Sequence, residues 1–273
     1  MFRRGFSIPI SYSRIRIELA ETASLYFFQQ RGVRFWSKYK LMQGASNHNL
    51  ACDKMNGKMG ENKMNAVTEK LFQKYPELSG CENDIMAAFA ALKQCYENGG
   101  KVLLCGNGGS ASDCEHIVGE LMKGFLLQRP VSAGLREKLR QAAGDDADYI
   151  ADHLQGALPA ISLVSHSALI TAFANDVAAD MIFAQQVLGY GKPGDVLLGI
   201  STSGNSANVL RALQVASALG LSTIGLTGRS GGLMAKHCDV TICVPWDTTI
   251  DIQERHLPVY HTLCIMLEEA FFG

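Results

Sequence analysis

The chain has 273 residues, of which 47% are hydrophobic, and a formal net charge of −1 at pH 7. This length suits one large domain or two small ones, and the near-neutral charge gives no reason to expect a nucleic-acid partner. No stretch approaches the roughly 18 consecutive apolar residues that a membrane-spanning helix needs, so we expect no association with a membrane.

Residues 1–63 differ in composition from the rest of the chain. The first forty are rich in Arg and aromatic residues and contain only two acidic residues. Such a composition is compatible with an organelle transit peptide. It also fits an upstream extension of the reading frame, because Met55, Met59 and Met64 are all plausible starts. We therefore expect an N-terminal extension over 1–63, disordered or not native, and one domain over 64–273.

A helix, a strand and a second helix open this domain. Apolar residues recur at helical spacing up to the pair Gly99-Gly100, namely Ile85, Phe89, Leu92 and Tyr96. A strand is predicted over 101–105 and a helix over 111–124. Residues 126–157 are charged and carry Pro and Gly, which indicates a helical hairpin inserted between core elements. This insert would be either solvated decoration or a lid over a site.

The second half of the domain alternates short apolar strands with helices. Strands are predicted over 160–164, 195–200, 222–226 and 240–244, and helices over 167–173, 181–188, 206–219, 231–236 and 252–272. A turn is expected at Asn175-Asp176. The alternation predicts an α/β fold with a doubly wound parallel sheet flanked by helices. The eight cysteines form no Cys-x-x-Cys pair, and Cys105 and Cys243 lie in predicted strands, which favours reduced core thiols and a cytoplasmic location.

Two loops rich in Gly and Ser each follow a predicted strand and open a helix. They are Gly106-Asn107-Gly108-Gly109-Ser110 and Ser201-Thr202-Ser203-Gly204-Asn205-Ser206. Backbone N–H groups at a helix start, together with hydroxyls, can hold an anion. The second loop could instead be a helix cap with spare polar residues, but four hydroxyls in six residues exceed what a cap needs. Because the Gly-Lys-Ser/Thr ending of a nucleotide-binding loop is absent, we expect a phosphorylated sugar.

Polar side chains on two predicted helices could carry chemistry. His116 and Glu120 are four residues apart and share a helix face, either as a surface pair or as a catalytic or metal-binding pair. The last helix carries Gln253, His256 and His261. These residue types can supply acid/base groups or bind a divalent metal. Spacing alone does not show that the two helices meet.

Taken together, the motifs resemble the phosphoheptose isomerase branch of the sugar isomerase (SIS) domain family. They are Gly106–Ser110, His116-x-x-x-Glu120, Ala174-Asn175-Asp176, Gly194–Ser206, Leu226-Thr227-Gly228 and Ile252-Gln253-Glu254-x-His256. The resemblance covers about residues 80–125 and 158–272. It implies an SIS-type, flavodoxin-like three-layer sandwich and a homotetramer with its sites near subunit interfaces.

The resemblance also implies a reaction, the conversion of sedoheptulose 7-phosphate to D-glycero-D-manno-heptose 7-phosphate through an enediol. Glu120 and His261 match the family's acid/base pair. One zinc ion per subunit, where present, would be bound by His116, Glu120, Gln253 and His261. Positions that match substrate contacts are Asn107, Gly108, Ser110, Asp176, Ser201, Thr202, Ser203, Ser206 and Gln253. The chain departs from the family at Ala111, where His is frequent, at Asp251, where Arg is frequent, and in the insert.

Three other functions compete with this one. A sister branch of the family binds a replication initiator protein without catalysis, but it lacks the Glu that Glu120 matches. Regulators that sense sugar phosphates carry a helix-turn-helix domain, and residues 1–63 show no such pattern. An isomerase for a different phosphorylated sugar remains an open alternative at the level of sequence.

Overall fold

A computed structural model describes residues 66–273. The extension predicted over 1–63 lies outside the described residues. Among the helices of the described range, none is both long and apolar enough to cross a membrane. The cysteines in the same range are all free thiols.

Five parallel strands form the sheet, in the order β2-β1-β3-β4-β5. Their bounds are Val102–Gly106 for β1, Ala160–Ser162 for β2, Val196–Ile200 for β3, Ser222–Thr227 for β4 and Val240–Cys243 for β5. Every residue of β1 and β3 is buried, as expected for strands that are covered by helices on both faces. The predicted doubly wound parallel sheet is therefore confirmed, with the strand order of flavodoxin-like folds.

Helices cover both faces of this sheet. They span 66–74 for α1, Glu82–Glu97 for α2, Gly109–Met122 for α3, Ala133–Ala143 for α4, Ala147–His153 for α5, Ser167–Asp176 for α6, Ile182–Tyr190 for α7, Ala207–Ala218 for α8 and Thr249–Phe272 for α9. Leu104 of β1 faces a core shared with α2, α3 and α9, whereas Leu103 faces a core shared with α7 and α8. Alternation of side chains along the strand thus divides the interior into two layers.

Three local predictions were wrong. The turn expected at Asn175-Asp176 lies inside α6, which continues to Asp176. Strand β2 ends at Ser162 rather than at residue 164, because its ladder to β1 closes at the pair Leu104–Ser162. The helix expected over 231–236 is a single 3₁₀ turn, Met234–Lys236, since Gly231 and Gly232 both have positive φ.

The predicted helical hairpin of the insert is present as α4 and α5. Arg136 of α4 donates hydrogen bonds to Asp148 and Asp152 of α5, and α4 buries none of its residues. The base of the hairpin is anchored differently, by a buried ion pair in which Arg129 Nε lies 2.8 Å from Glu268 Oε1. The insert is therefore solvated along α4 and fixed to α9 at its root.

Candidate functional site

The two Gly/Ser loops lie side by side at the carboxyl edge of the sheet. Gly106 at the end of β1 pairs with Ile200 at the end of β3. The chain leaves β1 and β3 toward opposite faces of the sheet, which is where open α/β sheets bind ligands. A cleft of about 320 Å³ opens at this point, lined by Asn107, Gly108, Gly109, Ser110, Ile200, Ser201, Thr202, Ser206, Thr249 and Gln253.

Glycines make the first loop possible. Gly108 has a φ of 55°, in the region that favours glycine. A Cβ atom on Gly109 would collide with the side-chain amide of Gln253, so glycine leaves room for this amide beside the start of α3. The loop thereby presents backbone rather than side chains at one wall of the cleft.

Hydroxyls of the second loop face the cleft instead of capping the following helix. Ser206 occupies the N-cap position of α8, yet its side chain makes no capping hydrogen bond. Its Oγ lies 3.0 Å from Ser201 Oγ, and both residues line the cleft. This arrangement favours a ligand role over a simple cap.

Two predicted substrate contacts are placed elsewhere. Ser203 does not line the cleft, and its hydroxyl accepts a hydrogen bond from the Asn205 N–H at 3.2 Å, which shapes the loop. Asp176 is the last residue of α6 and accepts a hydrogen bond from the Asn175 amide at 2.8 Å. Neither residue belongs to the cleft of its own chain.

The structure brings His116, Glu120 and His261 together, which spacing alone could not show. Helices α3 and α9 run in the same direction, because Gly109 contacts Gln253 at their starts and His116 contacts His261 two turns later. His116 Nε2 lies 3.3 Å from Glu120 Oε1 and 3.5 Å from His261 Nε2. These three side chains form one polar cluster on the seam between the two helices.

Neighbouring groups set the contacts of Glu120 and the protonation of His261 in this cluster. The other carboxylate oxygen of Glu120 lies 3.2 Å from Lys123 Nζ, which can donate to it. Burial lowers the pKa of His261 below its usual value of 6.5, and the nearby His116 lowers it further. His261 is therefore a neutral imidazole at neutral pH, able to accept or donate a proton.

Gln253 stands apart from the cluster. It lies in the cleft against Gly109, eight residues before His261, which is about 12 Å along the helix axis. Within residues 66–273, no group of three or more His, Cys, Asp or Glu side chains has the arrangement of a metal site. The four ligands that the resemblance implies are thus divided between the cleft and the cluster.

Sequence reasoning missed three residues, of which two contact predicted site residues and the third contacts one of those two. The Asn208 amide exchanges two hydrogen bonds of 2.9 Å with the Asn107 amide and so joins the two loops. The Tyr260 hydroxyl lies 3.0 Å from His116 Nδ1 and donates to Asp113 at 3.3 Å. Burial raises the pKa of Tyr260, and the charge of Asp113 raises it further. The hydroxyl therefore keeps its proton at neutral pH. Asp113 could have been found from its place three residues before His116 on one helix face.

Comparison with known proteins identifies phosphoheptose isomerases among the relatives of this chain. The model of the SIS domain family matches residues 77–148 and 149–228. A phosphoheptose isomerase of Rhodospirillum rubrum is 38% identical over 210 residues, which cover 77% of this chain and 98% of that protein. A phosphoheptose isomerase of Thiobacillus denitrificans is 43% identical over 178 residues, which cover 64% of this chain and 77% of that protein.

Solved structures agree with these relatives. The phosphoheptose isomerase of Neisseria gonorrhoeae matches with a TM-score of 0.58 and 32% identity, over 76% of this chain and 98% of that one. A phosphoheptose isomerase from Francisella tularensis matches with a TM-score of 0.59 and 34% identity, over 76% of this chain and 96% of that one.

Proposed function

The chain belongs to the phosphoheptose isomerase branch of the SIS domain family, and on that premise we propose that it converts sedoheptulose 7-phosphate to D-glycero-D-manno-heptose 7-phosphate. Its relatives are named phosphoheptose isomerases, which makes the chain an aldose–ketose isomerase. The observation that carries the proposal is that Glu120 and His261 meet on the seam between α3 and α9. The other end of this seam opens into the cleft that is lined by hydroxyls.

The geometry suits a long sugar with a phosphate at one end. Hydroxyls of Ser201, Thr202 and Ser206, with the N–H groups at the start of α3, would hold the phosphate in the cleft. His116 follows Gly109 by seven residues, about 10 Å along α3, so the sugar chain would run along the α3–α9 seam. Its carbonyl end would then reach Glu120.

Each acid/base group has a separate task in this reaction. Glu120 would remove a proton from C1 of the ketose and return it to C2 of the enediol, which gives the aldose. Its carboxylate is suited to this because Lys123 pairs with one oxygen and leaves the other, beside His116, to accept the proton. The neutral His261 would move the proton between the oxygens on C1 and C2.

We propose further that His116, Glu120 and His261 bind a zinc ion. Ligand atoms of a tetrahedral zinc site, each about 2.0–2.1 Å from the metal, lie about 3.3–3.4 Å from one another. The distances of 3.3 Å and 3.5 Å from His116 Nε2 to Glu120 Oε1 and His261 Nε2 are close to that value, but the three side chains as placed do not have the arrangement of a metal site and would have to adjust around the ion. A bound zinc would supply a Lewis acid that stabilises negative charge on the sugar oxygens. Gln253 would complete the set only if its amide moved along the seam.

Zinc content tests this site directly. We expect about one zinc per subunit in purified protein by mass spectrometry and loss of that zinc in His116→Ala. His166→Ala, which changes a His outside the cluster, is the matched control. Full activity in protein that a chelator has made free of metal would contradict a role for zinc in the reaction.

We propose a homotetramer with its sites near subunit interfaces. Leu126 and Leu257 are 65% and 40% exposed and line a groove of about 480 Å³ beside His261, which leaves apolar surface next to the cluster. If Asp176 contacts the sugar, it would have to come from a neighbouring subunit, because it does not line the cleft of its own chain. Light scattering on the purified protein measures the assembly, and a monomer at working concentration would contradict the proposal.

A panel of ketose phosphates tests the substrate. Sedoheptulose 7-phosphate, fructose 6-phosphate and ribulose 5-phosphate present chains of decreasing length to the same phosphate loops. We expect the highest kcat/KM with the seven-carbon substrate and very little turnover of sedoheptulose, which lacks the phosphate. A higher kcat/KM for one of the shorter sugars would assign a different substrate to the same reaction.

A further inference from the structure

A buried tyrosine hydroxyl connects two polar residues of α3. Tyr260 is 1% exposed, and its oxygen lies 3.0 Å from His116 Nδ1 and 3.3 Å from Asp113 Oδ1. The rings of His116 and Tyr260 meet edge to face, with centroids 5.6 Å apart. The hydroxyl therefore lies between a carboxylate and the imidazole that contacts Glu120.

A count of protons decides the direction of both hydrogen bonds. The hydroxyl has a single proton, and an ionised carboxylate can only accept. Tyr260 therefore donates to Asp113, and its oxygen is left to accept from the Nδ1–H of His116. We propose that Asp113 and Tyr260 are positioning residues that hold neutral His116 in its Nδ1–H tautomer and leave the Nε2 lone pair facing Glu120 and His261.

This tautomer has a chemical consequence for the cluster. The Nε2 lone pair of His116 faces Glu120 Oε1 at 3.3 Å and His261 Nε2 at 3.5 Å. A lone pair beside a carboxylate oxygen attracts a proton or a cation between the two atoms. In the opposite tautomer, an Nε2–H would donate to Glu120 and occupy the carboxylate that must accept the substrate proton. The link to turnover rests on the proposed function, whereas the tautomer itself does not.

Removal of the hydroxyl alone tests the proposal. Tyr260→Phe keeps the ring and deletes the oxygen. Tyr96→Phe is the matched control, because Tyr96 is also buried, at 8% exposure, and its hydroxyl has no hydrogen-bond partner among the described residues. Protein labelled with ¹⁵N in its histidine rings reports the tautomer of His116 by NMR without substrate, with the signal assigned from a His116→Asn variant.

At a pH where the ring is neutral, we expect the parent and Tyr96→Phe to show the Nδ1–H form of His116. We expect Tyr260→Phe to show the Nε2–H form. In Tyr260→Phe, kcat should fall about 10- to 100-fold with KM within about twofold of the parent, as for lost outer-shell partners in other sites. Asp113→Asn is a second variant if Tyr260→Phe does not fold. Its amide can donate to the Tyr260 oxygen, which turns the hydroxyl proton toward His116 and increases the Nε2–H form.

A Tyr260→Phe protein that keeps the Nδ1–H tautomer would overturn the proposal, and so would one that loses it with kcat unchanged. If Asp113→Asn left the tautomer of His116 unchanged, that result would also contradict the proposal. A parent protein that shows the Nδ1–H tautomer but does not turn over sedoheptulose 7-phosphate would count against the proposed function alone.

Discussion

At the scale of single residues, the cleft depends on two hydroxyls that face each other across the second loop. Ser201 and Ser206 both line the cleft, with their Oγ atoms 3.0 Å apart. We predict that replacing both with Ala raises KM for sedoheptulose 7-phosphate by at least about 10- to 100-fold, because even one lost hydrogen bond to a charged group costs about 1.5–3 kcal/mol. Steady-state kinetics measure the change.

Ser203→Ala is the matched control for these two serines. The Ser203 hydroxyl accepts from the Asn205 N–H at 3.2 Å and lies outside the cleft lining, so a smaller rise in KM is expected. The same comparison tests the predicted substrate contact at Ser203. If Ser203→Ala raised KM as much as the double variant, the assignment of the phosphate to Ser201 and Ser206 would fail.

Local spacing explains which residues of the site could be predicted from the sequence. His116 and Glu120 share a face of one helix, so their contact follows from the helical repeat. Their meeting with His261 depends on how α3 and α9 pack, which no spacing within either helix determines. Tyr260 gave no signal, because a buried aromatic residue on a long apolar helix resembles ordinary core.

A buried histidine of α9 makes stability depend on pH. His256 is fully buried, and a hydrogen bond with the backbone of Thr227, which favours the charged ring, has a smaller effect on its pKa than burial. Burial lowers its pKa from 6.5 to about 4, so the unfolded chain takes up a proton in a pH range where the folded protein does not. The stability associated with neutral His256 is therefore complete above about pH 6.5 and is lost as the pH falls toward 4.

We predict that the free energy of unfolding in urea falls by about 2–3 kcal/mol between pH 7 and pH 4 because of this one residue. His256→Leu should remove that part of the pH dependence. A variant with the same decline as the parent would show that other groups cause it.

At the scale of elements, the ends of α3 and α9 are joined by one buried ion pair. Arg129 pairs with Glu268 and also donates to the carbonyl oxygens of Glu120 and Leu121. Glu268 in turn accepts from the N–H groups that follow α3, those of Phe125, Leu126 and Leu127. The pair thus fixes the segment of α3 that carries Glu120 against α9.

We predict that Arg129→Met lowers the free energy of unfolding by about 3–5 kcal/mol, because it leaves a carboxylate buried without its cation. Arg136→Met, in the solvated hairpin, is the control and should change stability very little, since its ion pairs are exposed. Urea unfolding at one protein concentration compares them. Equal stability of the two variants would contradict the anchoring role of Arg129.

Element boundaries were harder to predict than element types. The alternation of apolar strands and helices identified every strand of the sheet, because buried parallel strands have continuous apolar sequences. The turn expected at Asn175-Asp176 was wrong because these residues favour turns in general, but here they form the last turn of α6. Tertiary packing of α6 decides this end, and it is not visible in local sequence.

At the scale of the whole molecule, the domain predicted over 64–273 should be sufficient for folding and activity. Helix α1, over 66–74, packs Leu71 into the core with 5% exposure, so a protein that begins at Met64 keeps this contact. We predict that it matches the full chain in Tm and turnover. A protein that begins at Pro76 lacks α1 and is the control, and it should unfold at a lower temperature.

Thermal unfolding and turnover of the three proteins test this boundary. Loss of folding or of activity in the protein that begins at Met64 would give residues 1–63 a part in the domain. The strand order that places both loops together could not be read from local pattern. It became an expectation only through the family resemblance.

The most direct test of the account is the turnover of Glu120→Gln with sedoheptulose 7-phosphate. The amide keeps the size of the side chain and cannot accept the proton from carbon. We predict a fall in kcat of about two to four orders of magnitude, with the circular dichroism spectrum and the assembly state of the parent retained. A Glu120→Gln protein that is as active as the parent would contradict the assignment of Glu120 as the base.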